Sequence, residues 1–139
     1  MYICTIKDLE EVAKIYEEYT GQDVFMWVRN QFYKDDKILF RFDTNMIISY
    51  QRITPDIWTI HLVGYTNKLK GLKKELIQIG SYLIDKYNCK SIICFCDATQ
   101  IQLQRFIGYV GGIRIGNIPK ENGADLIYSF PFSLRDEVD

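Results

Sequence analysis

The chain has one histidine, four cysteines in no metal-binding arrangement and almost no net charge, and each shortage excludes something. His61, as the only imidazole, leaves no histidine cluster for a metal. Cys4, Cys89, Cys94 and Cys96 lack the Cys-x-x-Cys and His spacings of a zinc site, so no metal is expected. With no signal peptide before them they read as reduced, mostly buried thiols of a cytoplasmic protein. A formal net charge of −1 gives no overall pull on nucleic acid, so polyanion binding would need a local patch. No apolar run approaches the roughly 20 residues that cross a bilayer, which argues against a membrane span. Repeats, linkers and low-complexity segments are also missing.

What remains is a globular composition. With 139 residues, 47% hydrophobic and 25% charged, the chain is long enough for one core. A single domain over residues 1–134 is expected, followed by a loose acidic tail at 135–139.

Apolar periodicity orders the elements. Met1 to Ile6 reads as a strand, and Asp8 with Glu11 resembles a capping box for a helix whose apolar face is Leu9, Val12, Ala13, Tyr16 and Tyr19, stopped by Gly21. A second short helix from Asp23 carries Val24, Phe25, Val28 and Phe32. Strands over 38–42, 46–52 and 57–65 form a meander, with Asp43-Thr44-Asn45 as the first turn. Leu72, Leu76, Ile79, Leu83 and Tyr87 then make one helical stripe. Residues 91–96 are continuously apolar, as a strand buried on both faces requires. Thr99 is placed to cap a helix through Leu103, Phe106, Ile107 and Val110, closed by Gly111-Gly112. Strands 113–118 and 126–132, joined through 119–123, close the fold as a hairpin. The reading is a mixed α/β (α+β) domain with about seven strands and four helices in the order β-α-α-β-β-β-α-β-α-β-β.

One segment runs against electrostatics. Lys68, Lys70, Lys73 and Lys74 crowd the predicted start of the third helix, where unpaired N–H groups and the helix dipole already present positive charge. Gly71 among them allows close backbone approach, so the segment is suited to meet an anion.

This order and these motifs resemble the GNAT N-acetyltransferases over nearly the whole chain. Lys68-Leu69-Lys70-Gly71-Leu72-Lys73 falls where that family has Gln/Arg-x-x-Gly-x-Gly/Ala, and Arg105 to Gly111 is similar to its late helix ending in glycine. The resemblance implies transfer of an acetyl group from acetyl-CoA to an unidentified amine. The pyrophosphate would rest on the loop of Lys68, Lys70, Gly71 and Lys73, with a backbone contact at Val63 to a pantetheine arm lying between splayed fourth and fifth strands. Lys68 and Lys73 depart from the motif, and Ile107 stands where many members place a tyrosine proposed as general acid. His61 is the one titratable base candidate on the fourth strand, and as a half-buried, hydrogen-bonded strand residue it needs no function. The chain also looks like the small acetyltransferase-like proteins of tailed bacteriophages. That likeness implies an alternative in which the fold persists without chemistry, as a virion assembly component with protein partners, located in the host cytoplasm or the virion.

Overall fold

The computed structural model describes residues 2–64 and 66–130. The expected acidic tail, the last two residues of the closing strand, Met1 and Tyr65 lie outside them. Among the described residues, four helices and seven strands form a mixed α+β fold: β1 (Tyr2–Ile3), α1 (Ile6–Thr20), α2 (Phe25–Phe32), β2 (Lys37–Phe42), β3 (Met46–Arg52), β4 (Ile57–Gly64), α3 (Leu69–Tyr87), β5 (Ser91–Asp97), α4 (Ile101–Tyr109), β6 (Ile113–Lys120) and β7 (Gly123–Phe130). Hydrogen bonding orders the strands β1-β2-β3-β4-β5-β7-β6. The chain groups into two compact units, one within Met1–Arg52 and Ile60–Leu72, the other within Ile53–Thr59 and Lys73–Asp139.

In the first unit, α1 begins two residues ahead of Asp8. Thr5, not Asp8, is the N-cap: its hydroxyl accepts the Asp8 N–H, and the Asp8 carboxylate accepts the Thr5 N–H at 2.7 Å. This reciprocal box fixes the helix start and shortens the expected first strand to Tyr2–Ile3. Gly21 ends α1 in the left-handed conformation (φ 74°), as expected. Asp23 accepts the Phe25 N–H and so precedes α2 rather than starting it. The turn between β2 and β3 falls on Asp43-Thr44-Asn45, with Asp43 at φ 56°, and the β2–β3 register runs from Lys37↔Gln51 to Phe42↔Met46. Leu9, Val12, Val28, Leu39, Ile47 and Val63 form the buried core, joining α1, α2 and three strands.

In the second unit, the first three residues of β4 pair in parallel with β5, from Ile57↔Ser91 to Thr59↔Ile93. α3 is the crossover that such a pairing requires, and its Leu76 and Leu83 are buried. Asn88 closes it at φ 56°. β5 is not buried on both faces. It alternates, with Ile92, Cys94 and Cys96 inward and Phe95 49% exposed, because the period of two sends Phe95 to the opposite face whatever its hydrophobicity. All four cysteines are free and buried, and burial pushes the Cys4 and Cys94 thiols up to about 12.

Thr99 does not cap α4. Its hydroxyl donates to Asp97 at 2.6 Å, and Gln100 holds the N-cap position instead. The closing hairpin is tighter than expected: β6 runs through Pro119 to Lys120, and the Lys120↔Gly123 pair leaves only Glu121-Asn122 in the turn. Lys120 reaches the carboxylates of Asp97 and Asp125 and holds this end in register. Pro119 is tolerated because β6 is an edge strand.

Candidate functional site

The start of α3 is built by Thr66, whose hydroxyl accepts the Lys68 N–H at 3.0 Å, and by the first helical bond, from the Leu72 N–H to the Lys68 carbonyl at 2.9 Å. The amides of the first turn carry no intrahelical bond, as in every helix. Lys68, Lys70 and Gly71 are solvent-exposed. Lys68 leans toward the β2–β3 turn, its ammonium 3.3 Å from the Asp43 carboxylate. Lys73 turns away from the loop and sets its ammonium over the Tyr109 ring, 4.9 Å from the centroid.

Gly71 is the informative residue of this loop. A Cβ built there would meet one atom within 4 Å, the Phe42 ring at an ordinary 3.7 Å, so neither crowding nor a left-handed backbone demands glycine. Its outer face is open. Gly64, by contrast, is demanded by the fold: at φ 111° it passes the Asn45 backbone so closely that a Cβ would lie 1.9 Å from the carbonyl oxygen.

A cavity of about 250 Å³ opens beside the end of β4, lined by Tyr16, Val24, Trp27, His61, Leu62, Val63 and Gly64. A second, of about 290 Å³, shares Tyr16 and Gly64 and adds Ile15, Tyr19, Asn45, Thr66 and Asn67, which brings it to the turn ahead of α3. Val63 lines the cavity and is buried as part of the hydrophobic core. His61 differs in exposure from the half-buried residue the sequence suggested. It is exposed, and its ring lies 5.1 Å from that of Trp27, tilted by 52°. Desolvation, then the charge of Lys37, lowers its pKa, so the imidazole is neutral near pH 7.

The structure thus gathers Val63 and His61 at one cavity and Lys68, Lys70 and Gly71 at the start of α3, while Lys73 goes to Tyr109. Ile107 is buried, and the Gly112 N–H donates to its carbonyl at 2.8 Å, so it serves as packing. Sequence reasoning missed Trp27, Tyr16 as a lining residue, Gly64 and Asp43. Trp27 left a signal, as an aromatic off the apolar stripe of its helix.

No protein-family model matches the chain, and no curated protein sequence matches it. Solved structures do match. A Vibrio cholerae spermidine N-acetyltransferase chimera superposes with a TM-score of 0.74 at 9% identity, over 98% of both chains. A GNAT-family acetyltransferase from Bacillus anthracis gives 0.67 at 15% identity, covering 95% of this chain and 93% of its own. The smu.2055 protein of Streptococcus mutans gives 0.69 at 14% identity, over 94% and 97%. The chain has the GNAT fold. Identity at this level establishes architecture alone. Among the described residues, no helix is long and apolar enough to cross a membrane.

Proposed function

We propose that this protein is an N-acetyltransferase that binds acetyl-CoA at the start of α3 and transfers the acetyl group to an amine held in the cavity beside β4. The observation that carries the reading is Gly71. A glycine in the first turn of a helix is less stable there than alanine by about 0.5–1 kcal/mol, and nothing in the fold requires it. An open backbone beside exposed Lys68 and Lys70 fits a diphosphate. The shared fold of solved acetyltransferases supports the same cofactor.

On this reading Gly71 and its neighbouring amides hold the pyrophosphate, Lys68 and Lys70 add point charge, and the Val63 backbone orients the pantetheine arm. Acetyl-CoA, when bound, supplies the acetyl group as a thioester already reactive toward an amine. Catalysis by the chain then rests on positioning the acceptor and on His61 as a neutral proton acceptor. Calorimetric titration with acetyl-CoA tests the reading: micromolar binding that weakens at least tenfold in Gly71→Trp is expected, and no heat at millimolar ligand would sink it.

A second reading, a protein-assembly role without chemistry, is favoured by β6. Its Ile113, Ile115 and Ile118 are each about half exposed or more on the sheet edge, an arrangement suited to a protein partner. Light scattering across a concentration series, with Ile115→Lys as the control, separates the two: a monomer that binds acetyl-CoA leaves only the first.

A further inference from the structure

The cavity beside β4 also says which kind of amine it would accept, an inference that rests on the acetyltransferase reading. Among the described residues its lining contains aromatic and aliphatic side chains and one imidazole, with no aspartate or glutamate, and the adjoining cavity that shares Tyr16 and Gly64 has none either. The charged group that acts on His61 is a cation, Lys37. An alkylamine is protonated near pH 7. Bringing that charge into a cleft whose lining offers no carboxylate partner is unfavourable, and here a lysine would oppose it. A flat, uncharged ligand meets neither penalty. Trp27 presents a ring that remains 43% exposed, set against His61 at the cavity mouth, and Tyr16 adds a third aromatic wall.

We propose that the acceptor is a small, weakly basic aromatic amine, its ring against Trp27 and its amino group directed to His61. Such an amine is neutral near pH 7, so its lone pair is available without prior deprotonation, in keeping with a lining that has no carboxylate base. The amine nitrogen forms the new bond to the acetyl carbonyl carbon as the carbon–sulfur bond breaks, the bonding pair leaving with the sulfur. One N–H proton passes to the His61 imidazole, which returns it to the thiolate. Amide and free thiol are the products, and no further reactant is needed.

The test compares aniline with spermidine on the full chain, using ligand-observed NMR for binding without acetyl-CoA and thiol release for turnover. The expected result is aniline binding that weakens at least tenfold in Trp27→Ala, with kcat/KM for aniline at least tenfold above that for spermidine. His61→Gln should lower kcat on aniline at least tenfold with little change in KM. Circular dichroism of both variants checks that they fold; should Trp27→Ala not fold, Trp27→Leu replaces it. A preference for spermidine, or bound acetyl-CoA with no aniline binding, overturns the acceptor assignment and leaves acetyl transfer standing. Aniline binding without acetyl-CoA binding overturns acetyl transfer, and the acceptor role with it.

Discussion

The Lys73 ammonium sits 4.9 Å from the centroid of the Tyr109 ring, a cation placed on an aromatic face by α3 and α4. The residue that breaks the glycine-loop motif therefore has a partner of its own. The unfavourable position of a lysine near a helix start is offset in part by the ring. A double-mutant cycle of Lys73→Met and Tyr109→Leu, read by chemical denaturation, should give a coupling of about 0.5 kcal/mol. Strict additivity would remove the pairing from the account. If acetyl-CoA uses this loop, Lys73→Met alone should weaken it by no more than a few-fold, since its ammonium is held at Tyr109.

Replacing Gly71 by alanine separates stability from binding. The backbone is helical and the new methyl meets only Phe42 at ordinary distance, so the variant should gain about 0.5–1 kcal/mol. Its acetyl-CoA affinity should fall in the same preparation. A variant that gains stability with unchanged affinity would place the cofactor elsewhere.

Gly64 is expected to behave in the opposite way. Any side chain meets the Asn45 carbonyl and must also hold a left-handed backbone. Gly64→Ala should cost about 3 kcal/mol or more, seen as a lower denaturation midpoint. A loss below about 1 kcal/mol would mean that the turn yields freely.

Acid stability should follow Asp8. Desolvation raises its pKa, but hydrogen bonds from the Thr5 backbone, Arg41 and Tyr2 outweigh that and hold the carboxyl down near 2. Arg41 reaches it at 2.9 Å and Glu11 at 2.6 Å. Because the folded carboxyl titrates below its unfolded value of 3.8, the unfolded chain takes up the proton first. The contribution, on the order of 2 kcal/mol, is complete above about pH 4 and is lost as pH falls toward 2. Asp8→Asn should flatten stability across that window and cost about 2–3 kcal/mol at pH 7, since among the described residues it leaves Arg41 with one carboxylate, Glu11, and the Thr44 carbonyl. An unchanged acid profile would exclude Asp8 as the titrating group.

Much of the fold was legible because its signals are local. Gly21 stops α1, Leu72, Leu76 and Leu83 share one helical stripe, and β3 runs over the residues its pattern marked. The errors came where a contact at short range competed with a plausible local rule: Thr5 displaced Asp8 as cap, and Asp97 took the Thr99 hydroxyl that was expected to cap α4. The continuous run of β5 hid its alternation, since a strand exposing Phe95 and one burying it have the same composition. The site was legible in part. The loop at Gly71 announces itself by charge in the wrong place, whereas Trp27 and His61 are 34 positions apart in sequence, and only folding could make them neighbours.

The sequence by itself determined the order of elements, the stripes that bury them, the isolation of its single histidine and the concentration of lysines at one helix start. Those follow from periodicity and composition, which act over a few residues. Only the tertiary structure decided that Gly71 is free of any steric need for glycine, that Gly64 is not, and that Lys73 leaves the loop for Tyr109. It alone set beside His61 a cavity whose lining, among the described residues, has no carboxylate. The reason is geometric: which side chains share a volume depends on strand pairing and helix packing between distant segments, and no window along the chain contains that information.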